Sequence, residues 1–480
     1  MNPMMKRRYT YLILCCLSLA HADAQESYDR LKFVAEPSPL PPGAVTEDWP
    51  RFLGATDDSV SRETMLLKEW PAGLKPVWEI AKGQGYTSPS FAGGRGVVFH
   101  RLGDRETVEC IDPESGKRYW EYAYEVEFES EIGYSNGPKA SAVIEGGRVF
   151  TSGVTARLHA FDLESGKLLW EHDLAADYQV PEYFFGYGTN PLVWEDRVLV
   201  NVGGRDPDHA DGGVCVAAFD KATGRELWTV RDEWGASYAS PVVAELHGKP
   251  CLLVFAGGKS DPASGGLLTI DPSTGKVLDR FPWRAEMVFS ANASTPLAIG
   301  GNRVFLSECY REGAVLLEFD DELKSRVVWK QPRFGLHWMQ PLVKGGFLYG
   351  FAGRNEPDVE LACCELATGK IVWRRDLRWT EKVGDRQMVR SFFRGTLLDV
   401  DGSTLCLGEH GALAWLDLSP EGVEVKQRTQ LFLAPETWSL PVVYRGLLYI
   451  AQNDQDRGGG TSKPRWICYD FRARLAGAAE

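Results

Sequence analysis

Ala160-Phe161-Asp162-Leu163-Glu164-Ser165-Gly166-Lys167-Leu168-Leu169-Trp170 is the stretch that decides the fold of this chain. It holds an apolar pair ending on Asp, a few turn residues, Gly, a basic residue, and Trp eight positions after the Asp. Gly permits a turn at positive φ, and Asp can bond the backbone amides of the same turn. The flanking runs are apolar and β-prone, so the stretch reads as strand, tight turn, strand.

The same unit recurs along the chain. It stands as Cys110-Ile111-Asp112 with Gly116 and Trp120, and as Ala218-Phe219-Asp220 with Gly224 and Trp228. Later copies weaken: Thr269-Ile270-Asp271 has Asp279 where Trp is expected, Glu318-Phe319-Asp320 reaches Trp329 one residue late, and Cys363-Cys364-Glu365 reaches Gly369 and Trp373. Trp415-Leu416-Asp417 and Cys468-Tyr469-Asp470 keep only the Asp end. The seven intervals from Asp112 to Asp470 average about 51 residues, a period typical of propeller blades and solenoid arrays.

Two further marks fall inside each period. A polar-Pro strand start appears as Ser88-Pro89, Asn190-Pro191, Ser240-Pro241, Thr295-Pro296 and Gln340-Pro341, and a turn then leads into a β-rich run such as Gly93-Gly94 to Phe99. Each unit therefore predicts four antiparallel strands. The last copy lacks its Trp strand, and Lys75-Pro76-Val77-Trp78-Glu79-Ile80 supplies a matching one near the N-terminus. The expected fold is an all-β, eight-bladed β-propeller of four-stranded blades, its ring closed by that N-terminal strand. Trp78, Trp120, Trp170, Trp228, Trp329 and Trp373, with Asp112, Asp162 and Asp220, are assigned to blade docking, since Trp offers a broad apolar face and one N–H to pair.

The repeat resembles the tryptophan-docking motif of pyrroloquinoline quinone (PQQ) dehydrogenases and of BamB-like outer-membrane assembly proteins, over roughly residues 48 to 472. Asp48-Trp49-Pro50-Arg51-Phe52-Leu53-Gly54 is also similar to the start of exported BamB-like proteins. The resemblance implies the scaffold, and leaves two activities open because one fold hosts both. The quinone enzymes imply PQQ with calcium, a vicinal disulfide against the cofactor, acidic and amide ligands, and an Asp base. Cys363-Cys364 is vicinal but occupies a strand position whose neighbours point to opposite faces.

Composition narrows the rest. Lys6, Arg7 and Arg8, the apolar run from Tyr9 to Ala20, and Ala22-Asp23-Ala24 have the parts of a secretory signal over residues 1–24. The expected layout is that signal, an N-terminal extension over 25–73, the propeller over 74–472 and a tail over 473–480, in a periplasmic or secreted monomer. No later run approaches about 20 apolar residues, which argues against a membrane span. A formal net charge of −13 argues against nucleic acid as partner. The remaining eight cysteines show neither a disulfide framework nor a C-x-x-C zinc spacing. Asp206-Pro207-Asp208-His209-Ala210-Asp211-Gly212-Gly213 has oxygen enough for calcium but lacks the EF-hand order, and reads as a solvated loop.

In a propeller the innermost strands line the axis, so residues just before the polar-Pro marks should converge there. That offset selects Tyr86, Tyr134, Tyr187, Tyr238, Asn292, His337, Trp338, Arg390 and Trp438. Aromatics, amides, one His and one Arg around a concavity suit a planar or sugar-like ligand. They equally suit a plug of rings bonded to backbone. The leading expectation is a binding or scaffold propeller for a protein, peptide or carbohydrate, without a cofactor; the alternative is a PQQ-dependent alcohol or sugar dehydrogenase, with Arg390 holding a PQQ carboxylate.

Overall fold

The computed structural model describes residues 28–70, 73–204, 212–258, 260, 262–355, 358–383, 386–457 and 462–474. The predicted signal, most of the acidic loop at 206–213 and the end of the tail lie outside them.

Each repeat forms one antiparallel sheet of four strands, ordered from the axis outward. In blade 2 these are Val143–Glu145, Arg148–Ser152, Arg157–Asp162 and Leu168–Asp173. Blade 1 runs from Ser90–Ala92 to Arg118–Glu125, and blades 3 to 7 follow the same order. Blade 8 is assembled from both ends of the chain. Val442–Tyr444, Leu447–Gln452 and Arg465–Asp470 are followed outward by Pro76–Ala81, with Trp78 opposite Cys468, and then by Leu31–Phe33. The N-terminal strand thus closes the ring, as its sequence implies. Among the described residues the single α-helix is the five-residue Leu174–Tyr178.

The repeated Trp works across blades. Trp78 Nε1 donates to Pro113 O at 2.9 Å, Trp120 to Leu163 O at 2.8 Å, Trp170 to Lys221 O at 3.1 Å and Trp228 to Pro272 O at 3.2 Å. Trp329 and Trp373 do the same to Leu366 O and Ser419 O, both at 2.9 Å. In most of these joints the acceptor follows directly on the repeat's acidic residue in the next blade. That residue folds the turn: Asp162 Oδ1 accepts from Ser165 N and Oγ, and Asp112 and Asp220 do likewise at their own turns. Gly166, at φ +69°, lies beneath Trp120, and a Cβ there would stand 2.5 Å from the indole. The unit is therefore a shape match as well as a turn signal.

Two joints use other chemistry. Asp279, in the Trp position of blade 4, accepts from Ser325 N and Oγ of blade 5. Between blades 7 and 8, Trp70 from the N-terminal segment packs on Trp415 and Phe471 at 6.2 and 5.7 Å between ring centroids.

The cysteines are buried in blade strands or nearly so, and all eight described ones are free thiols. Cys363 packs with Tyr349, Phe351 and Trp373 toward blade 7, whereas Cys364 packs with Phe305 and Trp329 toward blade 5. Adjacent strand residues face opposite sides, so this pair belongs to two inter-blade cores.

Candidate functional site

The chain enters every innermost strand from one face of the disk, here called the upper face. A cavity of about 250 Å³ opens on the axis there. Its wall includes Tyr86, Tyr134, Tyr238, His337, Trp338 and Trp438, six of the nine residues selected by the strand offset.

The other three point elsewhere. Tyr187 is buried and donates its hydroxyl to Asn201 O at 2.7 Å, and Asn292 donates Nδ2 to Ala256 O at 2.8 Å. Both satisfy blade backbone and do not line the cavity. Arg390 also lies off the cavity wall: an extra hairpin, Trp379–Val383 with Arg386–Arg390, intervenes between blades 6 and 7 and pairs Arg390 with Glu381. The arginine that reaches the cavity from this connection is Arg394.

Other wall residues also had no signal in that offset, among them Phe185, Tyr310, Arg354 and Phe52. Phe185 comes from the loop before blade 3, while Tyr310 and Arg354 come from loops between second and third strands, which also rise on the upper face. Phe52 arrives from the N-terminal segment. Trp49 pairs with Phe91 of blade 1, Ile144 N of blade 2 donates to Pro50 O, and Val60–Ser61 runs parallel to Thr396–Val400 of blade 7. Arg51, Phe52, Leu53 and Asp57 share a small void with Val143, Asn190, Ser240 and Thr295. The segment from Asp48 to Ser61 therefore crosses the axis below the cavity, and Phe52 belongs to its floor. Gly54, at φ +88° with the Trp49 ring where a Cβ would lie 2.8 Å away, lets the segment bend under the ring.

The wall is a girdle of rings in mutual contact. Tyr238, Phe185, Tyr134, Trp438, Trp338, His337 and Tyr310 follow one another at centroid separations of 5.4, 5.5, 5.3, 5.1, 4.6 and 5.7 Å. Successive planes are inclined by between 43° and 89°, so the rings present faces in many directions and form no parallel-sided slot. Hydrogen bonds hold them in place: Trp438 Nε1 donates to Glu409 Oε1 at 2.8 Å, and Tyr86 donates its hydroxyl to Glu436.

Among the described residues three cations reach the cavity and no carboxylate lines it. Arg394 is clamped by Glu409 and lies 5.1 and 4.9 Å from the Trp338 and Trp438 ring centroids. Lys139 donates to the Ser135 and Gly137 carbonyls, and burial pulls its ammonium down to about 7. Arg354 lies 4.6 Å over the Tyr310 ring and makes no ion pair with a described carboxylate. Burial, with Arg394 and Arg354 nearby, drives His337 down to about 3. It is a neutral hydrogen-bonding ring at neutral pH and a weak base. Asn190 Oδ1, His337 Nδ1 and Trp338 Nε1 have no hydrogen-bond partner.

PQQ with calcium was the cofactor pair implied by the quinone enzymes. The cations suit its carboxylates, but the calcium ligands are not assembled. Glu409 and Glu436 are engaged as above, Glu308 accepts from the Tyr310 and Glu312 amides, and no metal-ligand cluster occurs among the described residues. The vicinal cysteines lie in blade cores away from the cavity. These residues do not fit that pair.

Comparisons with known proteins agree on the scaffold. BamB from Moraxella catarrhalis superposes with TM-score 0.52 at 14% identity, over 84% of this chain and 99% of that one. Quinohemoprotein alcohol dehydrogenase from Pseudomonas putida HK5 gives 0.60 at 13% identity, over 90% of this chain and 81% of that one. At such identities the likeness concerns the fold. A 1-butanol dehydrogenase (cytochrome c) from Thauera butanivorans is 30% identical over 157 residues, 31% of this chain, and the match spans 22% of that relative's length. Residues 104–375, more than half of the chain, match the family described as outer membrane protein assembly factor BamB, and the chain belongs to that family.

Proposed function

We propose that this chain is an exported binding propeller whose upper-face cavity holds a ring-shaped group, and that carbohydrate is the best match among its partner classes. The observation that carries the reading is the girdle of mutually inclined aromatic rings above a closed floor. Inclined faces accept the C–H surfaces of a puckered ring better than they accept a flat tricycle, and the polar groups between them can meet hydroxyls. A peptide or protein is the competing partner class.

The test is calorimetric titration of the purified chain with a panel of oligosaccharides and short peptides, repeated on Trp438→Ala. Saturable sugar binding that is lost in the variant supports the reading. Binding of peptides alone, or sugar binding indifferent to Trp438, contradicts it. The dehydrogenase reading draws on the 1-butanol dehydrogenase relative and the quinohemoprotein neighbours. Quinone-dependent oxidation of an alcohol or sugar would favour it.

A further inference from the structure

The charge of the cavity is opposite to that of the molecule. The chain carries a formal net charge of −13, yet Lys139, Arg354 and Arg394 line the cavity without a carboxylate among the lining residues. Arg394 is neutralised by Glu409, which is almost fully buried. Lys139 gives its bonds to carbonyls and sheds its charge near pH 7. Arg354 differs from both. Its guanidinium is half-buried, with its central carbon 4.6 Å from the Tyr310 ring centroid, and unpaired with any described carboxylate. A guanidinium over an aromatic ring retains a planar fork of donors, the geometry that takes a carboxylate through two parallel hydrogen bonds.

Resting on the reading of the cavity as a sugar site, we propose that it selects a carboxylate-bearing pyranose, a hexuronic acid residue, with Arg354 as the carboxylate fork. The aromatic girdle covers the C–H faces of the ring, and the acid group at its edge meets Arg354 beside Tyr310. Phe52 closes the axis below, so a polysaccharide cannot thread through. The bound residue is a chain end, and the rest of the chain leaves by the upper face.

The experiment is calorimetric titration of the full chain with oligosaccharides ending in galacturonate, glucuronate or mannuronate, each beside its neutral counterpart, and with PQQ as a flat polycarboxylate. At least one acidic sugar is expected to bind roughly tenfold or more tightly than its neutral partner, as a charge-assisted pair implies. Arg354→Ala should bring the ratio of acidic-sugar to neutral-sugar affinity down to near unity with the melting temperature in place, and Arg354→Lys should restore part of that ratio. Equal binding of acidic and neutral sugars, or a preference that survives Arg354→Ala, overturns the acid proposal and leaves the sugar site standing. No binding of any sugar removes the underlying reading and the proposal with it. PQQ binding more tightly than every sugar overturns the sugar assignment of the carboxylate.

Discussion

At the scale of the residue, the docking Trp and a buried lysine give the clearest expectations. Trp78 is fully buried, donates to Pro113 O and lies against Gly116. Trp78→Ala removes the packing and leaves a cavity, and should cost about 3–5 kcal/mol in chemical denaturation. A loss below about 1 kcal/mol would show that the joint is carried by other contacts. Lys82 is buried and donates to Gly85 O and Asn453 Oδ1, each at 2.7 Å; desolvation, helped by nearby Lys139, pulls it from 10.5 down to about 7. Between those values the unfolded chain holds the extra proton, so stability attributable to Lys82 rises with pH. The penalty is fully present below about pH 7 and gone by about pH 10.5. Unfolding free energies at pH 6.5 and 9.5 should therefore differ less in Lys82→Met than in the native chain, and an identical pH slope would refute the assignment.

At the scale of the element, strands were legible in the sequence and loops only partly. Period, turn chemistry and the Trp eight residues after Asp act within one blade, so a local pattern reports them. The offset that found Tyr86, Tyr134, Tyr238, His337, Trp338 and Trp438 also tracks a local feature, the entrance to an innermost strand. It missed Arg394 because the hairpin at Trp379–Arg390 displaces the count. It missed Tyr310 and Arg354 because they sit on a different class of loop, and Phe52 because only tertiary placement brings the N-terminal segment under the axis. Tyr187 and Asn292 have the expected positions, but backbone acceptors in the neighbouring strands claim their side chains. Ring closure can be tested at this scale. Deleting residues 74–82 exposes the edge of Arg465–Asp470 and strips Trp78 from blade 1, so the whole ring should lose its cooperative melting. A deletion variant that melts like the native chain would contradict closure.

At the scale of the whole molecule, eight similar blades converge on an axis whose lower part is crossed by the chain's own N-terminal segment. The result is a cavity open on one face, ringed by aromatics and lined by cations. The family fixes the scaffold but leaves the cavity's occupant to its side chains, which among the described residues offer no free carboxylate set for calcium and no flat slot for a tricyclic quinone. The most direct test of that claim follows melting temperature and dye-linked alcohol oxidation while the purified chain is titrated with PQQ and calcium, since a ligand of the folded state alone must raise apparent stability. The expected result is no saturable rise attributable to the pair and no turnover. A saturable rise that requires calcium, accompanied by quinone-dependent oxidation, would contradict the account and make the cavity a catalytic site.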